Sequence, residues 1–394
     1  MASPRSISTA RDQRRRILAA TTSDDGILPT DALRGILLRL PARHLCRFRS
    51  VCRSWRSLLS EPDFVKAHAS LHPSPLVAVA VTSGECSNTV DFIVLDMSGK
   101  KVKRIPAGMW SFDAQISSHQ YLAGIAVDDY CRCLRMVNLE SGAISLVPKR
   151  FQRARALPAG FVHGRAASGE HKVIRIRNTS SGAQYCDVLT LGSGGDYGNT
   201  YWRRGQPPPV PVHSRYRGSA VVVKGIAYFL VDRIQLYNSE VPGDVTLDDM
   251  ATFDLSTEQW SLTLLHGPLS SDIQKRQHRP QLTALKGRLV VIHPRYEGGP
   301  MDLWFRVGTS LDDAGWPIWF RRYANIRFGV PLWELDDGRL AVWMWSRKSW
   351  TVPDDYMGML SLYDPKTRGY VTVAELDNFV GIVGVDNSGK LSSS

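Results

Sequence analysis

The pattern of apolar and polar residues changes once along the chain, near residue 75. Before that point apolar residues recur at helical spacing, and the first four to do so are Leu33, Ile36, Leu37 and Leu40. Positions i, i+3, i+4 and i+7 lie on one face of a helix, so this stretch predicts an amphipathic helix. We expect Thr30 or Asp31 to cap its N-terminus, and Pro41 to end it and open the next helix.

The same spacing continues to residue 59 and predicts a second helix and a third. The apolar residues of this part are Leu45, Phe48, Val51, Cys52, Trp55, Leu58 and Leu59. Glu61 and Pro62 are expected to end the helical run. Residues 68–75 are expected to form a linker, because Pro73 and Pro75 disfavour the helical conformation in the residues before them.

From residue 76 onward, runs of Val, Ile, Leu, Tyr and Trp alternate with turns rich in Gly, Asp and Asn, which predicts an all-β domain. Six segments share one form, an apolar strand, a polar turn and a second strand: residues 91–106, 134–148, 186–204, 250–265, 301–322 and 359–376. They follow one another at intervals of roughly 40–60 residues, the range expected of four-stranded propeller blades. We therefore predict a β-propeller of about six blades, with seven as the alternative.

Three further hairpins are predicted between these segments, at residues 219–231, 281–294 and 332–345. Each has a glycine in its turn, which suits a tight hairpin. The turns are Lys224-Gly225, Lys286-Gly287 and Asp337-Gly338. The predicted organisation is a disordered basic tail (1–26), a small all-α unit (27–72), a linker with the first strand (73–90) and a large all-β domain (91–390).

The helical unit carries more apolar side chains than a chain of its size can bury. Fourteen of the 32 residues from 28 to 59 are Leu, Ile, Val, Phe, Trp or Cys, and a chain below about 40 residues seldom supports a core of its own. Some of these side chains therefore face a neighbour, which is either another protein or the domain that follows. An apolar groove with an acidic rim would complement the arginines that border the stripe: Arg34, Arg39, Arg43, Arg47, Arg49, Arg53 and Arg56.

The net charge of +12 is concentrated near the N-terminus. Residues 1–60 hold 12 arginines against four aspartates, a net charge of +8, whereas the remaining 334 residues carry only +4. A basic protein raises the alternative of nucleic-acid binding, but the β domain is nearly neutral and we expect no nucleic-acid partner. Arg14, Arg15 and Arg16 are interpreted as part of a solvated tail, with a localisation or phosphate-binding patch as the alternative.

No segment has the apolar length of a signal peptide or of a membrane span, since the longest apolar run is short and lies near residues 76–81. The six cysteines include no CxxC pair, and the histidines show no metal-ligand spacing. We expect reduced thiols in an intracellular protein of the nucleus, the cytoplasm or both. We also expect no membrane contact, no metal and no cofactor.

Residues 28–64, LPTDALRGILLRLPARHLCRFRSVCRSWRSLLSEPDF, resemble the F-box family. The resemblance is carried by the Leu-Pro opening, the ILLRLP centre, the Val-Cys-x-x-Trp spacing and the closing Pro-Asp-Phe. It implies a three-helix unit that docks on a Skp-type adaptor and, through it, joins a cullin–RING ubiquitin ligase.

By position, the resemblance implies a set of adaptor-contacting residues. They are Leu28, Pro29, Leu33, Ile36, Leu37, Leu40, Pro41, Val51, Cys52 and Trp55. Leu45, Phe48 and Leu58 could instead hold the helices together, and the division between the two sets stays open. Gly35 stands where a helix former is frequent in the family, and a mid-helix glycine costs about 0.5–1 kcal/mol relative to alanine.

Residues 90–390 resemble the F-box-associated, propeller-like domains of plant F-box proteins, in segments such as VVVKGIAYFL, LKGRLVVI and YDPKTRGY. This resemblance implies a domain that recognises a degradation signal. Exposed aromatic and basic side chains in loops could bind an acidic or phosphorylated target, with ordinary inter-blade loops as the alternative. The candidates are Trp202, Arg203, Arg204, Arg215, Arg217, Trp316 and Trp350. Trp304, Trp343 and Trp345 lie in strand-like runs and are expected to pack between blades.

The predicted function is that of a substrate receptor in a Skp–cullin–F-box ubiquitin ligase. Such a receptor has no catalytic residue and presents an unidentified target for ubiquitination and degradation, so that transfer is promoted by proximity. Three alternatives remain: an F-box protein that acts outside an active ligase, a propeller-type hydrolase or lyase, and a nucleic-acid or phospholipid binder that uses the basic tail.

Overall fold

The computed structural model of the chain divides into two compact units, residues 1–73 and 74–394. The structure describes residues 29–40, 42–71, 75–82, 89–109, 117–119, 122–128, 133–138, 144–147, 160–179, 182–191, 202–213, 218–232, 235, 245–246, 248–269, 279–296, 298–311, 317–348 and 356–386. The predicted tail, residues 1–26, lies outside these ranges. The described part of the first unit is helical, and that of the second is built mainly from strands.

The described residues of the first unit form four helices, whereas the sequence predicted three. They are α1 (Thr30–Leu38), α2 (Ala42–Phe48), α3 (Arg53–Leu58) and α4 (Pro62–Leu71). Pro62 was expected to end the helical run but instead opens α4, where its missing N–H is not needed and its fixed φ suits a helix. The predicted linker at 68–75 is therefore wrong for residues 68–71, which belong to α4.

The helices of the first unit enclose a small apolar core. Its buried side chains are Leu37, Leu45, Leu58, Leu59 and Phe64, and all four helices contribute to it. Phe64 comes from α4, the helix that the sequence analysis missed. On the same helix, the Nε2 atom of His68 lies 2.8 Å from the carbonyl oxygen of Leu40. The fourth helix therefore completes a core that three short helices would leave open.

The helix N-termini differ from those expected. Because α1 begins at Thr30 with Pro29 in the cap position, neither Thr30 nor Asp31 caps it, and that prediction is wrong. At α3 the cap residue is Cys52, whose sulfur accepts a hydrogen bond from the backbone N–H of Trp55 at 3.4 Å. A thiol thus replaces the hydroxyl or carboxylate oxygen that usually fills this role.

The described strands of the second unit form six four-stranded antiparallel sheets, here called blades 1 to 6. Blade 1 contains β1 (Leu76–Thr82), β2 (Thr89–Asp96), β3 (Lys101–Met109) and β24 (Phe379–Asp386). Blade 2 contains β4 (Ser117–His119), β5 (Leu122–Asp128), β6 (Cys133–Asn138) and β7 (Ile144–Val147). Blade 3 contains β8 (Gly160–Arg165), β9 (His171–Asn178), β10 (Gln184–Leu191) and β11 (Arg203–Arg204).

The other three blades follow in chain order. Blade 4 contains β12 (Ala220–Val223), β13 (Ile226–Leu230), β14 (Met250–Asp254) and β15 (Gln259–Trp260). Blade 5 contains β16 (Gln281–Leu285), β17 (Arg288–Pro294), β18 (Met301–Leu311) and β19 (Pro317–Ile326). Blade 6 contains β20 (Val330–Glu334), β21 (Leu340–Arg347), β22 (Tyr356–Asp364) and β23 (Gly369–Leu376). All nine predicted hairpins are present, which confirms the strand assignments made from alternation and turn chemistry.

The six blades close into a propeller through the two ends of the β unit. β24 pairs antiparallel with β1, so blade 1 combines strands from both ends of the unit. The innermost strands contact one another in the order β24, β4, β8, β12, β16, β20. Apolar cores fill the spaces between blades 3 and 4, 4 and 5, 5 and 6, and 6 and 1. The prediction of a β-propeller with about six blades is confirmed.

Two of the inner hairpins turn through left-handed residues. Lys224 and Gly225 have φ of 49° and 82°, and Lys286 and Gly287 have φ of 48° and 65°. Two consecutive residues with positive φ are typical of the tight turn that matches the twist of paired strands. These turns place a lysine at the end of β12 and another at the end of β16.

Candidate functional site

The first unit keeps apolar side chains exposed although it has a core of its own. Ile36 on α1 is 48% exposed and Val51, just before α3, is 61% exposed. On α4, Val65 and Leu71 are 49% and 59% exposed. Isolated exposed apolar residues are ordinary on protein surfaces, but four large ones on so small a unit leave apolar surface for a partner to cover.

The ten predicted adaptor contacts fall into different environments. Pro29, Ile36, Val51 and Cys52 are exposed, and Leu33, Leu40 and Trp55 are half-buried. Leu37 is buried, and Leu28 and Pro41 lie outside the described residues. Seven of the ten therefore keep surface that a partner could contact.

Leu37 belongs to the core of the first unit. It is 1% exposed and packs in the cluster that contains Leu45, Leu58 and Phe64. Ile36 and Leu37 are neighbours in sequence and point about 100° apart around a helix, so one can face solvent while the other faces the core. The assignment of Leu37 to the docking surface is wrong in this conformation, because its side chain has no surface left to offer.

Leu45, Phe48 and Leu58, for which a role in holding the helices together was left open, pack in the core of the first unit. Leu45 and Leu58 are buried, and Phe48 packs half-buried against them. The Phe48 ring meets the Trp55 ring edge to face, with centroids 5.4 Å apart and planes at 83°. This contact fixes the Trp55 ring while leaving part of it accessible.

Cys52 lies beside Val51 on the exposed side of the α3 N-terminus. Its sulfur is 3.1 Å from the Ser54 hydroxyl oxygen and also accepts the hydrogen bond from the Trp55 N–H. These two hydrogen bonds, with that of Ser54 the larger influence, lower the pKa of the Cys52 thiol. The candidate surface thus contains an exposed thiol that ionises more readily than an ordinary cysteine.

The sequence analysis missed two exposed apolar residues, Val65 and Leu71, because Pro62 was taken as the end of the helical run. Phe64, His68 and Leu71 recur at i, i+4 and i+7, and that spacing was the signal that could have identified α4. Phe64 turns inward to the core, and Leu71 stays exposed. The apolar surface available to a partner is therefore larger than the predicted set.

The arginines of the first unit divide into two groups. Arg34 pairs with Glu61 at 3.4 Å and its guanidinium lies 5.7 Å from the centre of the Phe64 ring. Arg49 donates to the carbonyl oxygen of Leu59 at 3.0 Å. These side chains link the helices, whereas others, Arg39, Arg47 and Arg53, are exposed. The exposed arginines add positive charge to the surface of the first unit.

On the β unit, Trp202 is not the exposed ring that was predicted. It is 5% exposed, and the Arg175 guanidinium lies 4.2 Å from its ring centre. Phe161 packs nearby, with ring centroids 6.2 Å apart. The structure corrects the placement of Trp202 from a target-binding surface to the packing of blade 3.

Arg203 and Arg204 are exposed but already engaged in contacts. Arg203 forms a two-pronged ion pair with Glu258 of blade 4, at 2.9 and 2.7 Å, and Lys172 contacts the same carboxylate at 2.8 Å. Burial alone would raise the pKa of Glu258, but the hydrogen bonds from Arg203 and Lys172 lower it overall. Arg204 lies over the Tyr185 ring at 4.3 Å. Arg203 therefore joins two blades in the free protein.

The remaining target-binding candidates, Arg215, Arg217, Trp316 and Trp350, lie outside the described residues.

The strand tryptophans pack as expected. Trp343 is fully buried between blades 6 and 1, and Trp304 and Trp345 are half-buried against the inter-blade cores. That prediction is confirmed for all three.

Two negative findings concern the described residues only. No group of three or more His, Cys, Asp or Glu side chains among them is arranged to hold a metal ion. In the same part of the chain, no helix combines the length and the apolar character needed to cross a membrane.

Comparison with known families identifies the first unit. The F-box domain family matches residues 27–66, the stretch that contains α1 to α3 and the first turn of α4. The match covers a small part of the chain and includes every predicted adaptor contact.

Individual F-box proteins are also similar in sequence to this chain. A putative F-box protein of Arabidopsis thaliana is 24% identical over 287 residues, 68% of this chain and 64% of that protein. An F-box/kelch-repeat protein of the same plant is 55% identical over 42 residues, 11% of this chain and 12% of that protein. The chain thus covers less than two thirds of the length of either relative. Among solved structures, a mutant of AofleA from Arthrobotrys oligospora matches 80% of this chain and 90% of that chain at 10% identity, with a TM-score of 0.42.

Proposed function

We propose that this protein, whose residues 27–66 form an F-box domain, is the substrate receptor of a Skp–cullin–F-box ubiquitin ligase. The F-box domain would dock on a Skp-type adaptor, and the propeller would hold the target. The observation that supports this most directly is that Ile36 and Val51 remain exposed outside a core that is already complete. The family match supports a Skp-type adaptor as the partner that would cover these side chains.

The docking energy can be estimated from the exposed residues. Full burial of a large aliphatic side chain is worth roughly 1.5–3 kcal/mol, and Ile36 and Val51 each have about half of their surface left to bury. Since association costs about 4–15 kcal/mol, these two residues alone are not sufficient. The half-buried Leu33, Leu40 and Trp55 must contribute too, and a central tryptophan is typical of an interface hot spot.

The charge of the F-box domain suggests the character of the partner surface. The exposed arginines of the F-box domain, Arg39, Arg47 and Arg53, would meet acidic side chains around an apolar groove. Such complementarity mainly raises the association rate and selects the partner, while the apolar contacts supply most of the affinity. A Skp-type adaptor with an acidic rim is therefore the expected partner.

The propeller is proposed to bring a target close to the ubiquitin-charged conjugating enzyme, and transfer follows from the raised local concentration. The chemistry belongs to the other subunits, so this chain needs no catalytic residue. Among the candidate target contacts, Arg204, Arg215, Arg217, Trp316 and Trp350 remain proposals. The ligase is proposed to act inside the cell, in the nucleus, the cytoplasm or both.

Co-purification of the full chain with a Skp-type adaptor tests the proposal. Ile36→Asp and Val51→Asp each place a charge on the docking surface, and we expect either variant to lose the adaptor. Leu262→Asp is the matched control, because Leu262 is 95% exposed on the β unit, and this variant should retain the adaptor. Circular dichroism of the variants should show an unchanged β signal.

Adaptor capture by all three variants at the wild-type level would contradict the proposed docking surface.

A second readout concerns the ligase itself. With cullin and RING subunits added, a substrate receptor supports ubiquitin transfer to a captured target, whereas an F-box protein that acts outside an active ligase captures the adaptor without transfer.

A further inference from the structure

The propeller axis contains a cavity that the docking proposal does not use. Its volume is about 580 Å³, and its described lining comes from the innermost strands of blades 3, 4, 5, 6 and 1 together with the turns that follow three of them. Small-molecule sites in proteins usually measure about 300–1,000 Å³. The cavity is therefore large enough for a ligand and not merely for solvent.

Slightly more than half of the cavity wall is apolar. Valines of β12, Leu332 and Trp333 of β20, and Ile382 of β24 line it, with Thr283 of β16 and the ring of His163 of β8 as polar groups. Trp333 and Ile382 are only half-buried, so these apolar surfaces are not fully covered by other parts of the protein. An apolar ligand body would bury surface that now faces the cavity, which is favourable.

One end of the cavity is cationic. Arg165 ends β8, Lys224 lies in the turn after β12, and Lys286 lies in the turn after β16. These turns adjoin one another: a side chain on Gly225 would come within 3.2 Å of the Ala167 backbone nitrogen, and one on Gly287 within 3.7 Å of the Lys224 side chain. The lining residues that the structure describes include three cations and no carboxylate.

Within the described part of the chain, two of these cations have no carboxylate partner. Lys286 pairs with Asp336 of blade 6 at 3.1 Å. The Arg165 Nε atom donates to the carbonyl oxygen of Gly169 at 3.0 Å, and neither Arg165 nor Lys224 forms an ion pair with any carboxylate in the described ranges. Cations beside low-dielectric walls focus an attractive field for anions. Charge-assisted hydrogen bonds from arginine and lysine to a carboxylate, sulfonate or phosphate are also strong ones.

We propose that the axial cavity binds a small organic anion, with an apolar body among the inner strands and its charged group against Arg165 and Lys224. The ligand would lie inside the propeller at the end formed by the turns after β8, β12 and β16. All of its described lining residues belong to the second unit, so this proposal does not depend on docking by the F-box domain.

Fluorescence titration of the full chain with two matched dyes tests the site. The first dye, 1-anilinonaphthalene-8-sulfonate, combines an apolar body with an anionic group. The second, N-phenyl-1-naphthylamine, has the same ring body without the sulfonate. We expect one saturable site for each dye in the wild-type protein, because the cavity supplies the apolar contacts for both and the cationic end favours the sulfonate.

Variants separate the contribution of the cationic end from that of the apolar wall. Lys224→Glu should weaken binding of the sulfonate dye at least tenfold and that of the neutral dye less than twofold. Lys366→Glu reverses a charge in the exposed turn between β22 and β23 and should leave both affinities unchanged. Thr283→Trp, which narrows the cavity, should weaken both dyes.

Three results would overturn the proposal: sulfonate-dye affinity that is unchanged in Lys224→Glu, an equal loss in Lys366→Glu, or binding of the dye that does not saturate. Lys224→Glu changes an exposed turn residue, so the charge test is independent of whether Thr283→Trp folds. Circular dichroism of each variant checks that the propeller is intact.

Discussion

Among single side chains, Asp187 shows how the propeller buries charge. It is almost fully buried on β10 and accepts hydrogen bonds from Arg175 at 2.7 and 3.0 Å and from Arg177 at 2.5 Å. Burial alone would raise the pKa of Asp187, but the hydrogen bond from Arg177 and the charge of Arg175 lower it overall. Arg175 also stacks on Trp202, so one carboxylate orders several groups of blade 3.

Replacing Asp187 with alanine should strongly destabilise the propeller. It leaves two largely buried guanidinium groups without their anion, and breaking a buried pair in this way costs about 3–5 kcal/mol. The exposed residue Glu375, on β23, is the control, and Glu375→Ala should change the free energy of unfolding by less than about 0.5 kcal/mol. Urea unfolding at pH 7 measures both variants.

The Asp187 contribution should depend on pH in a defined direction. Because its folded-state pKa lies below the unfolded one, the stabilisation is fully present above about pH 4 and is lost as the pH falls through the folded-state pKa. The stability difference between wild type and Asp187→Ala should therefore shrink on acidification. A difference at pH 7 no larger than that of the Glu375 control would refute the assigned role.

The burial and the partners of some single side chains could not be predicted from the sequence. Leu37 and Ile36 belong to the same predicted stripe, and the spacing cannot tell which edge faces the core, because that depends on where Phe64 of α4 packs. Trp202 and Arg203 were selected as unusual loop residues. Their partners, Arg175 and Glu258, lie 27 and 55 positions away in the chain, and no local pattern identifies such pairs.

Among the secondary-structure elements, α1 is less stable than it could be, because it has a glycine at position 35. A side chain there would meet nothing within 4 Å, and glycine in a helix costs about 0.5–1 kcal/mol relative to alanine. Gly35→Ala should therefore stabilise α1 and slow amide hydrogen exchange in it about two- to five-fold. Unchanged or faster exchange in α1, measured against α3 as the internal reference, would contradict this prediction.

The strands were predicted better than the helices, for a physical reason. Alternation of apolar and polar residues and the chemistry of two-residue turns act over a few positions, so the hairpins at Lys224-Gly225 and Lys286-Gly287 could be recognised locally. A proline is compatible with both the end and the start of a helix. The sequence pattern therefore does not distinguish the end of α3 from the start of α4 at Pro62.

For the molecule as a whole, the arrangement of the blades depends on contacts between distant parts of the chain, which a local sequence pattern does not predict. The closure of blade 1 pairs β24 with β1, about 300 residues apart, and the closing strand was not among the predicted hairpins. The axial cavity was missed for the same reason, because its lining is drawn from positions between 162 and 382. The proposed docking residues could be named from the sequence only because the F-box motif is contiguous.

The proposed function requires that another polypeptide bury the exposed surface of the F-box domain, and the reactivity of Cys52 measures that burial directly. Its thiol is exposed and its lowered pKa keeps more of it in the reactive thiolate form near neutral pH. Buried Cys186, whose pKa is raised to about 12, is the unreactive internal reference. Peptide-resolved mass spectrometry can follow iodoacetamide labelling of each cysteine in the full chain, with and without a Skp-type adaptor.

We expect Cys52 to be alkylated rapidly in the free protein and to be protected when saturating adaptor is added, because docking covers the surface around Val51 and Cys52. The same adaptor should give no protection in Val51→Asp. A Cys52 labelling rate that is identical with and without the adaptor would show that this surface stays open to solvent, and would contradict the proposed docking.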